Sequence, residues 1–185
     1  MRCFIAVDLK KDIAEKVKEI QHKIANLNVD VKFVEPENLH FTLNFLGEVN
    51  ENELEEIKKP LVQCLKDFHV FKIRISGLGF FGSPNYIRTL WLGLCEGENE
   101  FVKLMKRVNE CVNIGKGSKK AHLTIGRVRS GKNRELLANF INKLKDVNVG
   151  EMYVKNVKLK KSVLMQKGPL YSDLVVFKLG GNIYE

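Results

Sequence analysis

Two short stretches of the chain repeat one another, His-Phe-Thr-Leu at 40–43 and His-Leu-Thr-Ile at 122–125. The sequence contains only four histidines and three threonines, so chance is a poor explanation for two such pairs. Histidine titrates near neutrality and can remove or donate a proton, and a threonine hydroxyl can hold an anionic oxygen. Two pairs that face each other across a cleft suit in-line displacement at phosphorus, where one imidazole activates the nucleophile and the other protonates the leaving group.

The first pair lies in a segment, HFTLNFLG, that alternates as a β-strand does. Its apolar residues Phe41, Leu43 and Phe45 are interleaved with polar ones. Successive side chains of a strand point to opposite faces. We therefore predict that His40 and Thr42 share one face and that the three apolar residues are buried on the other.

The second pair lies in AHLTIGRVR, which repeats this pattern. His122 and Thr124 are predicted to face outward together, with Leu123 and Ile125 buried. Strict alternation would turn Arg127 away from the His122 face. Gly126 permits a local twist that would bring Arg127 back, because glycine tolerates strained backbone.

The two pairs occupy matching positions of an internal duplication. Residues 3–76 and 88–165 each follow the order strand, helix, His-x-Thr strand, helix, strand. A pseudo-two-fold axis between the halves would bring the motifs face to face. We predict an α+β fold in which residues 1–185 form a single bilobal domain, with two mostly antiparallel sheets lining a central cleft, helices outside and C-terminal strands running to 185.

Three local predictions concern segments between these elements. GLGFFGSPNY at 77–86 is rich in Gly and Pro, which is typical of a loop. Asn50 is expected to cap a helix that starts near 51, and Pro60 to kink or break that helix. Ser130 is expected to cap a helix over roughly 132–146.

The charge balance favours an anionic partner. The net charge is +9, and nucleic acid is the commonest polyanion that such a protein binds. Solvated lysines are the alternative explanation. The cations that flank the second motif are Lys116, Lys119, Lys120, Arg127, Arg129, Lys132 and Arg134.

Cysteine usage and the N-terminus indicate the compartment. The four cysteines form no CxxC pair, and Asp8 interrupts the first apolar run, so we expect a cytoplasmic protein without a membrane span. Zinc needs three or four close ligands, yet neither motif strand carries Asp, Glu or Cys on its outward face, which disfavours a metal mechanism. We expect no cofactor and a monomer.

The motifs PENLHFTLNFLGEV and AHLTIGR resemble those of the two-histidine phosphoesterases. The similarity is specifically to the bacterial and archaeal RNA 2',3'-cyclic phosphodiesterases, also called 2'-5' RNA ligases. Further similar segments are RCFIAVDL, GLGFF, LWLGL and KSVLMQKGPLYSDL. The resemblance implies an active site between two lobes, metal-independent hydrolysis of a terminal 2',3'-cyclic phosphate to a 2'-phosphomonoester, and RNA with such an end, including tRNA fragments, as the partner.

The resemblance also implies roles for the motif residues. His40 would protonate the leaving oxygen, His122 would activate water, Thr42 and Thr124 would bind the phosphate, and Arg127 would contact phosphate or substrate. Two alternatives stay open. A 5'-hydroxyl replacing water would give 2'-5' RNA ligase activity on RNA halves, and the net charge with exposed aromatics would also suit a non-catalytic RNA- or nucleotide-binding module. We favour hydrolysis because water is abundant.

Overall fold

A computed structural model describes residues 1–166, 168–180 and 183–184, which form four α-helices and eleven strands. The helices are α1 (Lys11–Ala25), α2 (Glu51–Leu65), α3 (Glu98–Val112) and α4 (Arg134–Lys143). The strands are β1 (Arg2–Asp8), β2 (Val31–Phe33), β3 (His40–Glu48), β4 (Phe71–Ser83), β5 (Tyr86–Glu96), β6 (Lys116–Gly117), β7 (Leu123–Val128), β8 (Asn148–Val154), β9 (Asn156–Met165), β10 (Gly168–Lys178) and β11 (Ile183–Tyr184). Among the described residues, no helix has the length and apolarity that crossing a bilayer requires.

Helix α2 shows how local sequence sets the helix bounds. Asn50 accepts a hydrogen bond from the Glu53 amide while the Glu53 carboxylate accepts one from the Asn50 amide, which confirms the predicted cap as a capping box. The helix continues through Pro60, so the predicted break does not occur. The buried face formed by Ile57 and Leu61 holds the helix to the core, which offsets the backbone hydrogen bond that proline cannot make.

The predicted cap of α4 was wrong. The residue before the helix is Asn133, which adopts a left-handed backbone with φ of 52°. Its side-chain amide donates to the carbonyls of Leu27 and Asn28, at 3.0 Å each, and so ties the start of α4 to the turn that follows α1. Ser130 instead accepts from the Lys132 amide at 3.4 Å, in the turn before the helix.

The strands form one curled antiparallel sheet, in the order β11-β10-β9-β1-β3-β7-β5-β4-β8, with β2 beside β7 and β6 beside β3. The α+β class and the antiparallel pairing are confirmed, but the strands form one sheet joined at β3 and β7 rather than the two sheets predicted. The two motif strands, β3 and β7, meet at a single register pair, Phe41 opposite Leu123. Both of these residues are fully buried, so the polar pairs that flank them point to the opposite side of the junction.

Each half of the sheet contains a strand from the other half of the sequence. Strand β4, which follows the first motif, pairs with β5 and β8 on the side of β7. Strand β9, which follows the second motif, pairs with β1 on the side of β3. Only Lys155 separates β8 from β9, so the chain passes there from one half of the sheet to the other.

The Gly-rich segment GLGFFGSPNY is mostly strand, so the predicted loop was wrong. Strand β4 extends to Ser83 and forms a long hairpin with β5. Gly79 lies opposite Trp91, and a Cβ on Gly79 would lie 2.5 Å from the indole ring. Glycine is therefore needed inside this strand, because the indole covers the backbone.

Candidate active site

A cavity of about 720 Å³ contains all five residues singled out from the sequence, and we call it the motif cavity. His40 and Thr42 reach it from β3, and His122, Thr124 and Arg127 from β7 and the residue before it. The tertiary structure thus brings the two His-x-Thr pairs, which are about eighty residues apart in sequence, onto one surface.

Each motif strand contains a β-bulge at the same place. Strand β3 has an extra residue between Thr42 and Asn44 relative to β1, and β7 has one between Thr124 and Gly126 relative to β5. In both strands the extra residue is apolar and buried, and the alternation of faces shifts after it. The bulges therefore re-aim the side chains that follow each motif.

The shift explains one confirmed expectation and one error. Arg127 lines the motif cavity, as the expected twist at Gly126 requires. Phe45, predicted to be buried, is 53% exposed and lines the same cavity, while Asn44 takes the buried position. Phe45 and Arg127 are equivalent residues of the two halves, so the cavity has an aromatic ring on one side and a cation on the other.

Both imidazoles are held in the same way. Nδ1 of His40 lies 2.7 Å from the carbonyl oxygen of Asn38, and Nδ1 of His122 lies 2.7 Å from that of Lys120. A carbonyl can only accept, so Nδ1 carries the proton in each ring. Nε2 is then the acceptor of the neutral imidazole and the donor of the imidazolium, and it is free for proton transfer.

Aromatic rings pack around His40. Its ring centroid lies 4.9 Å from that of Phe4 and 5.4 Å from that of Tyr171, the latter edge-on. Burial is the largest influence on His40 and lowers its pKa. The carbonyl of Asn38 and the carboxylate of Asp8 raise this pKa, and the charges of Lys160 and His122 lower it. His40 is thus a half-buried imidazole with a carboxylate beside it.

His122 has different neighbours. The Phe81 ring meets it edge-on at 4.9 Å, and Phe81 in turn contacts Trp91 at 5.5 Å. Burial again lowers the pKa, the hydrogen bond to the Lys120 carbonyl raises it, and the charges of Lys120 and Arg127 lower it. His122 is therefore the imidazole whose charged surroundings favour the neutral form.

Sequence reasoning missed several walls of the motif cavity. Phe81 and Tyr171 contact the histidine rings, and Lys32 lies opposite Arg127 in the β2–β7 pairing and adds a second cation. The alternation of residues around Phe81 could have indicated a strand, but the glycines of this segment led to its prediction as a loop. Of the cations near the second motif, only Arg127 lines this cavity.

The described residues contain no group of three or more His, Cys, Asp or Glu side chains that could hold a metal ion. The polar groups around the motif cavity include two imidazoles, the hydroxyls of three threonines and Tyr171, the cations of Lys32 and Arg127, and the carboxylates of Glu35 and Glu37. Imidazoles can move protons, and hydroxyls and cations can hold the oxygens of a phosphoryl group. A curled antiparallel sheet that carries two His-x-Thr pairs over one cavity is the architecture of a two-histidine phosphoesterase.

Comparison with known proteins agrees with this class. The family model described as LigT like Phosphoesterase matches residues 7–91. Proteins named RNA 2',3'-cyclic phosphodiesterase are similar over nearly the whole chain. One from Methanothermobacter thermautotrophicus is 42% identical over 97% of this chain and 99% of its own, and one from Archaeoglobus fulgidus is 44% identical over 96% and 100%.

A solved structure has the same fold. That of TT0787 from Thermus thermophilus superposes with a TM-score of 0.78 at 29% identity, covering 98% of this chain and 99% of its own. The chain therefore belongs to the LigT-like phosphoesterase family.

Proposed function

We propose that this protein hydrolyses the 2',3'-cyclic phosphate at the 3' end of RNA and leaves a 2'-phosphomonoester. The observation that carries the proposal is that two imidazoles with the same tautomer share one cavity with Thr42, Thr124 and Arg127. The name shared by the full-length relatives, RNA 2',3'-cyclic phosphodiesterase, supports the substrate. The proposed substrate thus rests on the relatives, and the proposed chemistry rests on the geometry of the cavity.

Each group has a role in the proposed step. Nε2 of His122 takes a proton from water, whose oxygen forms a bond to phosphorus. The bond between phosphorus and O3' breaks, and O3' takes the proton from Nε2 of His40. Thr42 and Thr124 donate hydrogen bonds to the non-bridging oxygens, and Arg127 balances their charge as it grows in the transition state.

The charges around the two rings support this assignment of acid and base. Among the charges near His40, Asp8 acts most strongly and favours the imidazolium form, as an acid requires, against individually smaller opposing effects of Lys160 and His122. The charges near His122, Lys120 and Arg127, both favour its neutral form, as a base requires. Burial lowers the pKa of both rings. The negative charge of a bound phosphate opposes this effect, so the substrate itself helps to keep His40 protonated.

The proposal is tested with an oligoribonucleotide that ends in a 2',3'-cyclic phosphate, in the presence of EDTA. Replacing His40 or His122 by alanine is expected to lower kcat by roughly 10²- to 10⁴-fold, the usual contribution of one general acid or base. His69→Ala is the matched control, because His69 is exposed and does not line the motif cavity. We expect its activity to be unchanged.

Full activity in either motif variant would refute the assigned roles, and inhibition by EDTA would favour a metal mechanism. Digestion must leave a 2'-phosphate, since cleavage on the other side of phosphorus would give a 3'-phosphate. Binding of the RNA without turnover would favour the non-catalytic module. In the same assay, a second RNA with a 5'-hydroxyl reports the reverse displacement, because a joined product appears only if that hydroxyl replaces water.

A further inference from the structure

We infer that a basic groove beside the motif cavity binds the RNA strand on the 5' side of the terminal phosphate. The basic groove is formed by the start of β5, the end of β7 and the turn before α4. Its cations are Arg88, Arg129, Lys132 and Arg134. This inference rests on the proposed function, since it specifies a polynucleotide rather than a nucleotide as the substrate.

The basic groove is continuous with the motif cavity. Phe81, Thr89 and Arg127 line both the cavity and the nearer part of the groove. Tyr86 and Arg88 line both the nearer and the farther part. A chain whose 3' terminal phosphate lies between the histidines can therefore continue past Arg127 into the groove. The terminal phosphate is at the 3' end, so the strand that leaves the cavity runs in the 5' direction.

The charges of the basic groove are not neutralised by the protein. None of its four cations forms an ion pair with any residue that the structure describes, although Lys132 and Arg134 donate to Asn28 and the Asn85 carbonyl. The contrast with two other basic clusters is clear. Lys72 and Arg74 pair with Glu96 and Glu151, and Lys158 and Lys160 pair with Asp8 and Asp173.

The groove also offers a surface for a base. Tyr86 is 69% exposed at the start of β5 and lines the groove together with Arg88. Arg134 donates a hydrogen bond of 2.9 Å to the Asn85 carbonyl and so fixes that turn. An exposed aromatic ring in a groove that also carries guanidinium groups is a combination that single-stranded RNA binds, through base stacking and phosphate contacts.

Arg88 and Arg129 are the residues to change, because both are exposed and neither lines the motif cavity. The probe is a 5'-fluorescein RNA octamer that carries a 2'-phosphate at its 3' end, so that binding is measured without turnover. Anisotropy gives Kd over a series of salt concentrations. Hydrolysis of 2',3'-cyclic AMP gives an independent readout of the motif cavity, because a mononucleotide has no strand to enter the groove.

The double variant Arg88→Gln/Arg129→Gln is expected to bind the octamer roughly tenfold or more weakly, because it loses charge-assisted hydrogen bonds to phosphate. The slope of log K against log salt should become shallower by about 1.4, since each phosphate contact with a single strand contributes roughly 0.7. Tyr86→Leu should weaken binding roughly five- to hundredfold with the slope unchanged, because stacking releases no counterions. Turnover of 2',3'-cyclic AMP should stay within twofold of wild type.

Arg107→Gln is the matched control, because Arg107 is an exposed arginine of α3 outside the groove. If the double variant binds the octamer like this control, the groove does not bind RNA, and the proposed function is untouched. The opposite outcome is that the wild-type protein turns over no cyclic phosphate, while the double variant binds the octamer more weakly than wild type does. The groove is then an RNA site and the proposed function fails. Equal affinity of wild type for the octamer and for 2'-AMP would also overturn the inference.

Discussion

A buried lysine that contacts Asp8, the residue opposite His40 in the β1–β3 pairing, provides a sharp test of how the structure supports the site. The side chain of Lys160 is only 8% exposed, and its ammonium contacts both carboxylate oxygens of Asp8, at 3.0 and 2.9 Å, and Asp173 at 2.6 Å. Lys158 contacts the same two carboxylates, and these four residues form a compact charge network. The perturbation is Lys160→Met, which keeps the apolar stem and removes the charge.

The expected loss of stability follows from the contacts. Breaking a buried ion pair by removing one partner costs about 3–5 kcal/mol, because the other charge is left uncompensated. Lys158 still contacts Asp8 at 2.8 Å and Asp173 at 2.5 Å in the variant. We therefore expect the lower end, about 3 kcal/mol. For a chain of this size, that corresponds to a fall in Tm of roughly 6–12 °C.

The same variant should change the pH dependence of activity. Burial is the main cause that lowers the pKa of His40, and among the charges Lys160 lowers it while Asp8 raises it. Removing Lys160 therefore raises the pKa of His40. If His40 is the acid, activity is lost when the pH exceeds this pKa, so the alkaline limb of kcat/KM should move to higher pH. Asp8→Asn should move that limb to lower pH.

Urea unfolding followed by circular dichroism measures the stability, and hydrolysis of 2',3'-cyclic AMP measures the pH profile. Lys161→Met is the control, since Lys161 is the next residue of β9 and forms no ion pair with a described residue. A surface substitution usually changes the free energy of unfolding by less than about 0.5 kcal/mol. If Lys160→Met changes it by no more than this, the buried charges do not stabilise the fold. An acidic shift of the alkaline limb would refute the electrostatic argument.

Two further predictions concern the histidines and the β4–β5 hairpin. Burial lowers the folded-state pKa of His40 and His122 below the ordinary 6.5, so the unfolded chain binds protons more readily than the folded protein does. The free energy of unfolding should therefore be highest above pH 6.5 and should fall as the pH drops toward the folded-state pKa values. Unfolding in urea at pH 7.5 and at pH 5 measures this loss of stability. If the variant His40→Gln/His122→Gln loses as much stability between these pH values as wild type does, the two histidines are not the cause. Gly79→Ala should cost about 1–3 kcal/mol and alter the fluorescence of Trp91, the only tryptophan, because the added methyl forces the indole to move. Gly93→Ala, with 3.3 Å clearances, is the milder control, and equal effects would refute the packing argument.

The sequence by itself determined the local features of the site. The two-residue period of a strand is set by the backbone, so it was enough to put each His beside its Thr on one face. The cap at Asn50 was equally readable, because the groups that make it are three residues apart. Repetition of the whole pattern then predicted that the two pairs would meet, which the motif cavity confirms.

Only the tertiary structure decided which residues surround the two pairs. The bulges after Thr42 and Thr124 depend on the neighbouring strands β1 and β5, and they turned Phe45 and Arg127 into the cavity. Gly79 looked like part of a loop because the indole that covers it comes from another strand. Alternation and capping act within a few residues, whereas register, strand exchange and the burial of Lys160 depend on partners far away in the sequence. A local sequence pattern carries no information about such partners. The two His-x-Thr pairs could therefore be predicted from the sequence, whereas the residues that surround them could not.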